Sequence, residues 1–353
     1  MAADPNLISI VGATGVVGQE LIGILTERGV TPDRIRLFAS SRSAGTSLNV
    51  GGTPVEVRET NTAQVGQAGV VYLAASSDLA RRIGPELADS GCFVIDNSSA
   101  FRMDPATPLV VPEVNPDAVS AIKAAGRGLI ANPNCSTIIM LVAVDPLRER
   151  WGVGRVLATT YQAVSGAGAA AMAELAAQTR DVLAGRPAVP EVLHEPCAFN
   201  VFSHDSDVDL ITGRNVEEQK MIDETRKIWG DPEVLVDATC VRVPVMRAHT
   251  ESIRVTLREP ASVDEVRAEL AAKPWLNVID DRAGNRFPTP LRAGGSDETL
   301  VGRIREDVSM GEPDAKPRAD GRTRHIHLMV CGDQIRKGAA LNAIQIGDLL
   351  GAR

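Results

Sequence analysis

Leu7-Ile-Ser-Ile-Val11-Gly12-Ala-Thr-Gly15-Val-Val-Gly18 passes from an apolar run straight into a glycine-spaced turn. Residues 7–11 read as a strand, and residues 16–28 read as a helix with Leu21, Ile22, Ile24 and Leu25 on its buried face. Glycines at such a junction let the backbone turn tightly and approach a pyrophosphate, while the helix N-terminus offers free N–H groups and partial positive charge. The spacing is GxxGxxG rather than GxGxxG, and a glycine-rich turn kept for packing alone is the competing reading. Further strands are expected at 35–39, 70–74 and 93–96, with a helix at 78–89. Short apolar strands alternating with helices predict an α/β chain whose first part is a doubly wound parallel sheet.

Beyond that sheet, Asn134-Cys135-Ser136 precedes the apolar run 138–147, read as a helix starting at or just after Cys135. A strand at 155–162 and an Ala-rich helix at 169–183 follow. Residues 185–213 turn rich in Pro, His and Asp and read as an irregular loop. Then come a helix at 215–229, strands at 238–244 and 250–258, a helix at 263–273, a polar surface loop at 311–322, a strand at 325–331 and a final helix at 335–350.

The 353 residues suit two domains. Hydrophobic residues make up 44%, ample for a sizeable core, but aromatics are only 3%, so Val, Leu, Ile and Ala must do most of the packing. A net charge of −8 leaves no electrostatic footprint for nucleic acid or an anionic membrane, so an anionic substrate must be held by a few placed cations. The five cysteines are scattered without a CxxC pair, which fits a reducing cytosol and argues against a disulfide framework or a cysteine-built zinc site. No apolar run reaches the ~18 residues of a membrane helix, and the first residues form neither a signal nor a transit peptide. The expected location is cytoplasmic.

Four segments carry chemistry. At the end of the second strand, Ser40, Ser41, Arg42 and Ser43 stand where a carboxylate would bind a ribose 2′-hydroxyl. Arg42 and the hydroxyls can instead hold a 2′-phosphate, which favours NADP; a solvated loop charge is the alternative for Arg42. In Asn132-Pro-Asn-Cys135-Ser-Thr, a cysteine at a helix N-terminus has its thiolate stabilised by the dipole and nearby N–H groups, as a covalent nucleophile requires. Cys92, Cys197, Cys240 and Cys331 lack such polar flanks and read as structural. In residues 161–168, Gln162 can hydrogen-bond a carbonyl, and Ser165 and Gly166 can meet a cofactor through the backbone; taken alone, the segment is equally a plain strand–turn–helix. In residues 240–249, Arg242 suits bidentate binding of a carboxylate, and His249 suits proton transfer near neutral pH, although a lone histidine is often structural. His325 and His327 share one face of a strand and have no third ligand nearby, so no metal site is expected.

Taken together, GATGVVG, DNSSAFR, NPNCST, YQAVSGAG, RNVEEQKM, CVRVPVMRAH and CGDQIRKGAALNAIQI, in this order along essentially the whole chain, resemble the aspartate-semialdehyde dehydrogenase family. The resemblance implies Cys135 as acyl-thioester nucleophile, His249 as general acid–base and Gln162 as the group orienting the substrate carbonyl. It implies Arg242 for the substrate α-carboxylate, Glu217 for its amino group, Arg102 and Lys220 for phosphate, and Asn134 in the substrate site. NADP would touch Gly12, Thr14, Gly15, Val16, Val17, Ser40, Arg42, Ser43, Ser165, Gly166 and Gln345. The implied architecture is a Rossmann-type NADP-binding domain, 1–134 plus 334–353, and an α+β catalytic and dimerisation domain, 135–333. The implied reaction is reductive dephosphorylation of L-4-aspartyl phosphate to L-aspartate 4-semialdehyde and phosphate, on the route to lysine, threonine and methionine, by a homodimer or homotetramer.

Three rival readings exist. N-acetyl-γ-glutamyl-phosphate reductase shares the thioester chemistry, but its nucleophile segment looks like NPGCY, and Asn134 and Ser136 favour the aspartyl enzyme. A catalytically silent NADP-binding paralogue would be expected to lose the nucleophile. An enzyme for a close analogue of aspartyl phosphate would keep Arg242 and Glu217. The loops 185–213 and 311–324 have no assigned role.

Overall fold

The computed structural model describes residues 3–310 and 321–351. The chain forms two compact units, Met1–Asn134 with Gly338–Arg353, and Cys135–Lys337.

In the first unit, strands β1 (Asp4–Val11), β2 (Ile35–Ala39), β3 (Ser47–Val50), β4 (Thr53–Glu59), β5 (Ala68–Leu73), β6 (Phe93–Asp96) and β7 (Gly128–Ala131) make one sheet in the order β3-β4-β2-β1-β5-β6-β7. Every pairing is parallel except β3 with β4. The chain leaves β1 with β2 on one side and β5 on the other, which makes the end of β1 the topological switch point where such sheets bind ligands. Helix α1 (Val16–Glu27) starts there and buries Leu21, Ile22, Ile24 and Leu25, as its periodicity requires. Between strands lie α2 (Thr62–Val65), α3 (Ser77–Asp89) and α4 (Ser120–Ala125). The C-terminal helix α10 (Leu341–Leu350) shares the core of this unit with Ile8, Ile10, Tyr72 and Leu25.

The parallel sheet is longer than the sequence alone indicated. β3 and β4 form an edge hairpin around Gly51 and Gly52, both at positive φ, and β7 adds a further edge. The final helix also differs from the expected 335–350: residues Arg336–Ala340 form a wider π-type turn before α10 begins.

In the second unit, a sheet in the order β12-β13-β14-β11-β8-β10-β9 is built from β8 (Val153–Gln162), β9 (Phe202–Ser203), β10 (Leu235–Arg242), β11 (His249–Ser262), β12 (Leu276–Val278), β13 (Thr299–Glu306) and β14 (Arg322–Gly332). β8 pairs with β10 in parallel and with β11 antiparallel. Helix α5 (Cys135–Trp151) is buried from Ser136 through Leu147 on all sides, the expected fate of a helix with no polar face. Each large aliphatic side chain buried this way contributes about 1.5–3 kcal/mol. α6 (Ala169–Leu183), α7 (Val216–Trp229), α8 (Val263–Ala271) and α9 (Pro290–Ala293) complete the unit. The loop read at 185–213 contains the short strand β9, paired to Val241 and Arg242. The part of the polar loop from 311 to 320 lies outside the described residues. Among the described residues, no helix is long and apolar enough to cross a membrane.

Candidate active site

One rim of the second sheet collects the chemistry. β8 ends at Gln162, β10 at Arg242, and β11, running the other way, begins at His249. α5 begins at Cys135, so the sulfur sits at a helix N-terminus, and Sγ lies 3.6 Å from His249 Nε2. His249 is completely buried. Its Nδ1 accepts the Ala163 backbone N–H at 3.0 Å. A ring nitrogen that accepts cannot carry a proton, so in the neutral ring Nε2 holds it, facing the sulfur.

Burial, with the Arg242 charge behind it, holds the His249 pKa down at about 3. The Ala163 N–H acts in the same direction, because a doubly protonated ring would face donor with donor. The sequence suggested proton transfer near neutral pH; the structure keeps the ring neutral there. His249 is aimed by Ala248, a non-glycine residue at φ 74° whose N–H donates to Gln334 Oε1 at 2.8 Å. A left-handed alanine is strained, and such strain is tolerated where surrounding contacts fix the conformation. Gln334 also bonds the Ser165 hydroxyl.

Arg242 is buried and fully engaged. Nη1 donates to the Ala163 carbonyl at 2.9 Å, so one peptide unit orients both His249 and Arg242. Nε donates to Asp205 Oδ1 at 3.0 Å, Nη2 reaches the same oxygen, and Nη2 also lies 3.0 Å from His204 Nε2. Burial pushes the Asp205 carboxyl up, but the Arg242 charge and its hydrogen bond outweigh this and hold it below the usual range. Gly166 backs onto this pair: a Cβ there would lie 3.4 Å from His249 Cε1 and 3.5 Å from Arg242 Nη1.

A second cluster adjoins it. Gln162 Nε2 donates to Ser136 Oγ at 2.9 Å, Glu217 Oε1 at 3.2 Å and Thr160 Oγ1 at 3.3 Å. Lys220 Nζ sits 3.3 Å from Glu217 Oε2. Both come from the first turns of α7, which a capping box fixes: Asn215 accepts the Glu218 N–H, and Glu218 accepts the Asn215 N–H, each at 2.9 Å. Glu218 also accepts the Cys240 N–H at 2.9 Å, tying the start of α7 to β10.

Thus Cys135, Gln162, Ser165, Gly166, Glu217, Lys220, Arg242 and His249 gather in the second unit. Gly12, Thr14, Gly15, Val16, Val17, Ser40, Arg42, Ser43, Arg102, Asn134 and Gln345 belong to the first unit. There, Gly12 sits at φ 83°, where a Cβ would fall 2.1 Å from the Ala74 carbonyl oxygen, and a Cβ on Gly18 would fall 2.2 Å from Gly12 O. Gly15 is the N-cap of α1 and has no side chain of its own to cover the helix end. This bare, close-fitting turn suits a dinucleotide pyrophosphate. Ser43 and Ala44 N–H groups close a turn on Ser40 O, leaving Arg42 exposed. Arg102 donates to Asn97 O at 3.0 Å, and Gln345 to Glu113 Oε1 at 2.9 Å.

The remaining cysteines are buried, and burial raises each thiol, Cys197 to about 11 and Cys331 to about 12. His327 is hydrogen-bonded to Ser252 at 2.8 Å and to Arg305 at 2.7 Å. Sequence reading missed Asp205, His204, Ser136, Thr160, Ala163 and Gln334. Ser136, Ala163 and Gln334 lay within the NPNCST, YQAVSGAG and CGDQIRKGAALNAIQI segments without a role of their own, whereas His204, Asp205 and Thr160 lay in no motif.

Comparison with known proteins adds the following. Residues 7–122 match the model of the semialdehyde dehydrogenase NAD binding domain, and 144–337 that of the semialdehyde dehydrogenase dimerisation domain. An aspartate-semialdehyde dehydrogenase of Synechocystis sp. is 42% identical over 348 residues, covering 98% of this chain and 97% of that protein. The crystal structure of aspartate semialdehyde dehydrogenase II of Vibrio cholerae complexed with ASA superposes with a TM-score of 0.89 at 39% identity, covering 99% of each chain. The Candida albicans enzyme with NADP gives a TM-score of 0.74 at 25% identity, covering 98% of each chain.

Proposed function

The chain belongs to the aspartate-semialdehyde dehydrogenase family of oxidoreductases, and from that premise we propose that it converts L-4-aspartyl phosphate to L-aspartate 4-semialdehyde and phosphate with NADPH, through a thioester on Cys135. The observation that carries this reading is the 3.6 Å approach of Cys135 Sγ to the proton-bearing Nε2 of a buried, neutral His249. The N-acetyl-γ-glutamyl-phosphate reading is set aside, since the relatives above carry the aspartate-semialdehyde name.

The residues act as follows. The α5 N-terminus and the His249 Nε2–H stabilise the Cys135 thiolate. The thiolate attacks the acyl carbonyl, the C–O bond to phosphate breaks, and a thioester remains on Sγ. Bound NADPH would supply the hydride that the thioester carbon accepts. Collapse then breaks the C–S bond and returns the sulfur as thiolate to the His249 Nε2–H. No net proton is needed on sulfur; the one proton the overall reaction consumes goes from solvent to the departing phosphate oxygen, so His249 serves by holding its proton at Nε2 rather than by shuttling it. Gln162 orients the carbonyl, Arg242 takes the α-carboxylate, and Glu217 takes the amino group. Arg102 and Lys220 hold phosphate, and Asn134 lies with the substrate. Gly12, Thr14, Gly15, Val16, Val17, Ser40, Arg42, Ser43, Ser165, Gly166 and Gln345 hold the nucleotide.

The first unit would then be the nucleotide domain and the second the catalytic and dimerisation domain of a cytoplasmic homodimer. Sedimentation of the purified protein tests the dimer against a tetramer. Phosphate-dependent NADP⁺ reduction with L-aspartate 4-semialdehyde, compared with Cys135→Ala, tests the reaction. Turnover that requires phosphate, prefers NADP⁺ to NAD⁺ and disappears in the variant supports the assignment. A folded, NADP-binding wild-type protein without turnover defeats it in favour of an analogue substrate or a silent paralogue.

A further inference from the structure

Four buried polar side chains share the face of the second sheet that α5 covers: Thr160 and Gln162 on β8, and His249 and Glu251 on β11. Successive residues of a strand point to opposite faces, so Thr160 shares a face with Gln162, and Glu251 shares one with His249. Glu251 pairs in register with Thr160. Directly opposed residues of an antiparallel pair carry their Cβ atoms on one face, about 4.5–5.5 Å apart. Glu251 thus stands beside Thr160 and about 7 Å along β11 from His249, yet the reaction as described gives it no part.

Glu251 is completely buried, and among the described residues neither of its carboxyl oxygens has a hydrogen-bond partner. Glu217 on α7, Cys240 on β10 and Cys331 on β14 are the ionisable groups whose charges interact with it, and no cation is among them. With neither a cation nor a donor against it, burial keeps this carboxyl in its acid form. The resting protein therefore holds a buried O–H donor with no acceptor, an arrangement that costs stability.

Gln162 supplies the occasion for its use. Gln162 Nε2 carries two hydrogens and faces three acceptors: Ser136 Oγ at 2.9 Å, Glu217 Oε1 at 3.2 Å and Thr160 Oγ1 at 3.3 Å. To orient a substrate carbonyl, Gln162 must release one of them, and the contact to Thr160 is the longest. Thr160 is fully buried, and its hydroxyl also bonds the Cys240 thiol. Releasing it strands a buried oxygen unless another donor takes the place of the lost one. We propose that Glu251 is a positioning residue, whose carboxyl O–H closes onto Thr160 Oγ1 as Gln162 turns to the substrate carbonyl. This role rests on the reaction proposed above. The new bond is made with the carbonyl held and is missing from the resting protein, so its contribution falls on kcat rather than on KM.

Steady-state reduction of NADP⁺ with L-aspartate 4-semialdehyde and phosphate tests this in the intact protein. Glu251→Met, which has no donor, should lower kcat about ten-fold, the factor for one lost hydrogen bond, with KM changed by less than about two-fold. Glu251→Gln keeps an N–H donor and should return kcat to within about three-fold of wild type. Thr160→Val removes the acceptor that Glu251 serves, so Glu251→Met added to it should lower kcat further by less than about two-fold. Glu251→Leu, equally without a donor, gives the same comparison where the methionine variant fails to fold. Wild-type kcat in a folded donor-less variant, equal losses in Glu251→Gln and Glu251→Met, or an undiminished loss in the Thr160→Val background each overturns the role of Glu251 and leaves the reaction standing. A folded wild-type protein without turnover overturns the reaction and this role together.

Discussion

Arg242 directs two of its donors, Nε and Nη2, at a single oxygen of Asp205, a residue 37 positions away in the loop before α7. This arrangement leaves a buried guanidinium matched by a partly exposed carboxylate, in the way a substrate carboxylate would match it. If Arg242 is the α-carboxylate site, Asp205 competes with substrate for it. Asp205→Asn weakens the competitor from a charged to a neutral acceptor, a difference of about 1 kcal/mol. The expected outcome is a KM for L-aspartate 4-semialdehyde lowered about five-fold, with kcat changed little. Steady-state kinetics decide it; a raised KM would mean that Asp205 holds Arg242 in place instead.

The Ala163 N–H on His249 Nδ1 sets a pH prediction. With its pKa pushed down to about 3 by burial and then by the Arg242 charge, against an ordinary 6.5, His249 contributes no inflection near pH 6.5 to kcat/KM. The stability consequence has a definite sign. The folded pKa is depressed, so the contribution is present above pH 6.5 and is lost as pH falls toward 3, by up to about 1.4 kcal/mol per pH unit. His249→Gln should cut kcat by roughly 10²–10³, the cost of losing one fixed donor to a developing charge, and flatten the loss of melting temperature between pH 6.5 and 4. A wild-type-like acid slope in the variant would assign that loss to other groups.

Gly12 and Gly18 make a steric prediction about the nucleotide turn. Gly12→Ala combines a positive φ with a Cβ 2.1 Å from Ala74 O, and Gly18→Ala puts a Cβ 2.2 Å from Gly12 O. Each should cost about 2–4 kcal/mol in stability and weaken NADP binding at least ten-fold. Gly23→Ala, exposed on α1 with nothing within 4 Å of its Cβ, is the control. It should gain up to about 1 kcal/mol. Thermal unfolding and fluorescence titration with NADPH separate the three, and wild-type NADP affinity in Gly12→Ala would remove the turn from the cofactor site.

What could be read in the sequence was what is local. The strand–turn–helix at Val11–Gly18 and the nucleophile at the start of α5 are contiguous, so periodicity and helix-end chemistry reveal them. The β3–β4 hairpin left a signal, two glycines between short runs, that an emphasis on parallel strands passed over. β12 gave less, since a three-residue strand has too few positions for alternation to show. Asp205 was illegible for a different reason: its role depends on a partner far along the chain, inside a loop whose composition indicates only irregularity. Ala248 was illegible too, because alanine in a left-handed conformation has no sequence signature; only the contacts of Gln334 impose it.

Glu251 yields the last prediction. It lies completely buried on β11, paired in register with Thr160 and Val330. Among the described residues, neither of its carboxyl oxygens has a hydrogen-bond partner. Burial first, and then the Glu217 charge, raise its pKa well above the ordinary 4.5, so the carboxyl stays neutral where an exposed one would ionise. The unfolded chain releases this proton as pH climbs past 4.5 while the folded chain retains it. Glu251 therefore destabilises the fold increasingly from pH 4.5 upward, by as much as about 1.4 kcal/mol per unit until its own folded-state pKa is reached. Glu251→Met keeps much of the volume, removes the unsatisfied oxygens and removes the titration. The variant should melt higher than wild type at pH 8, and the gap should close toward pH 4.5. Parallel melting curves across that range would mean that Glu251 is ionised in the folded protein, with a charge matched by solvent reaching the strand.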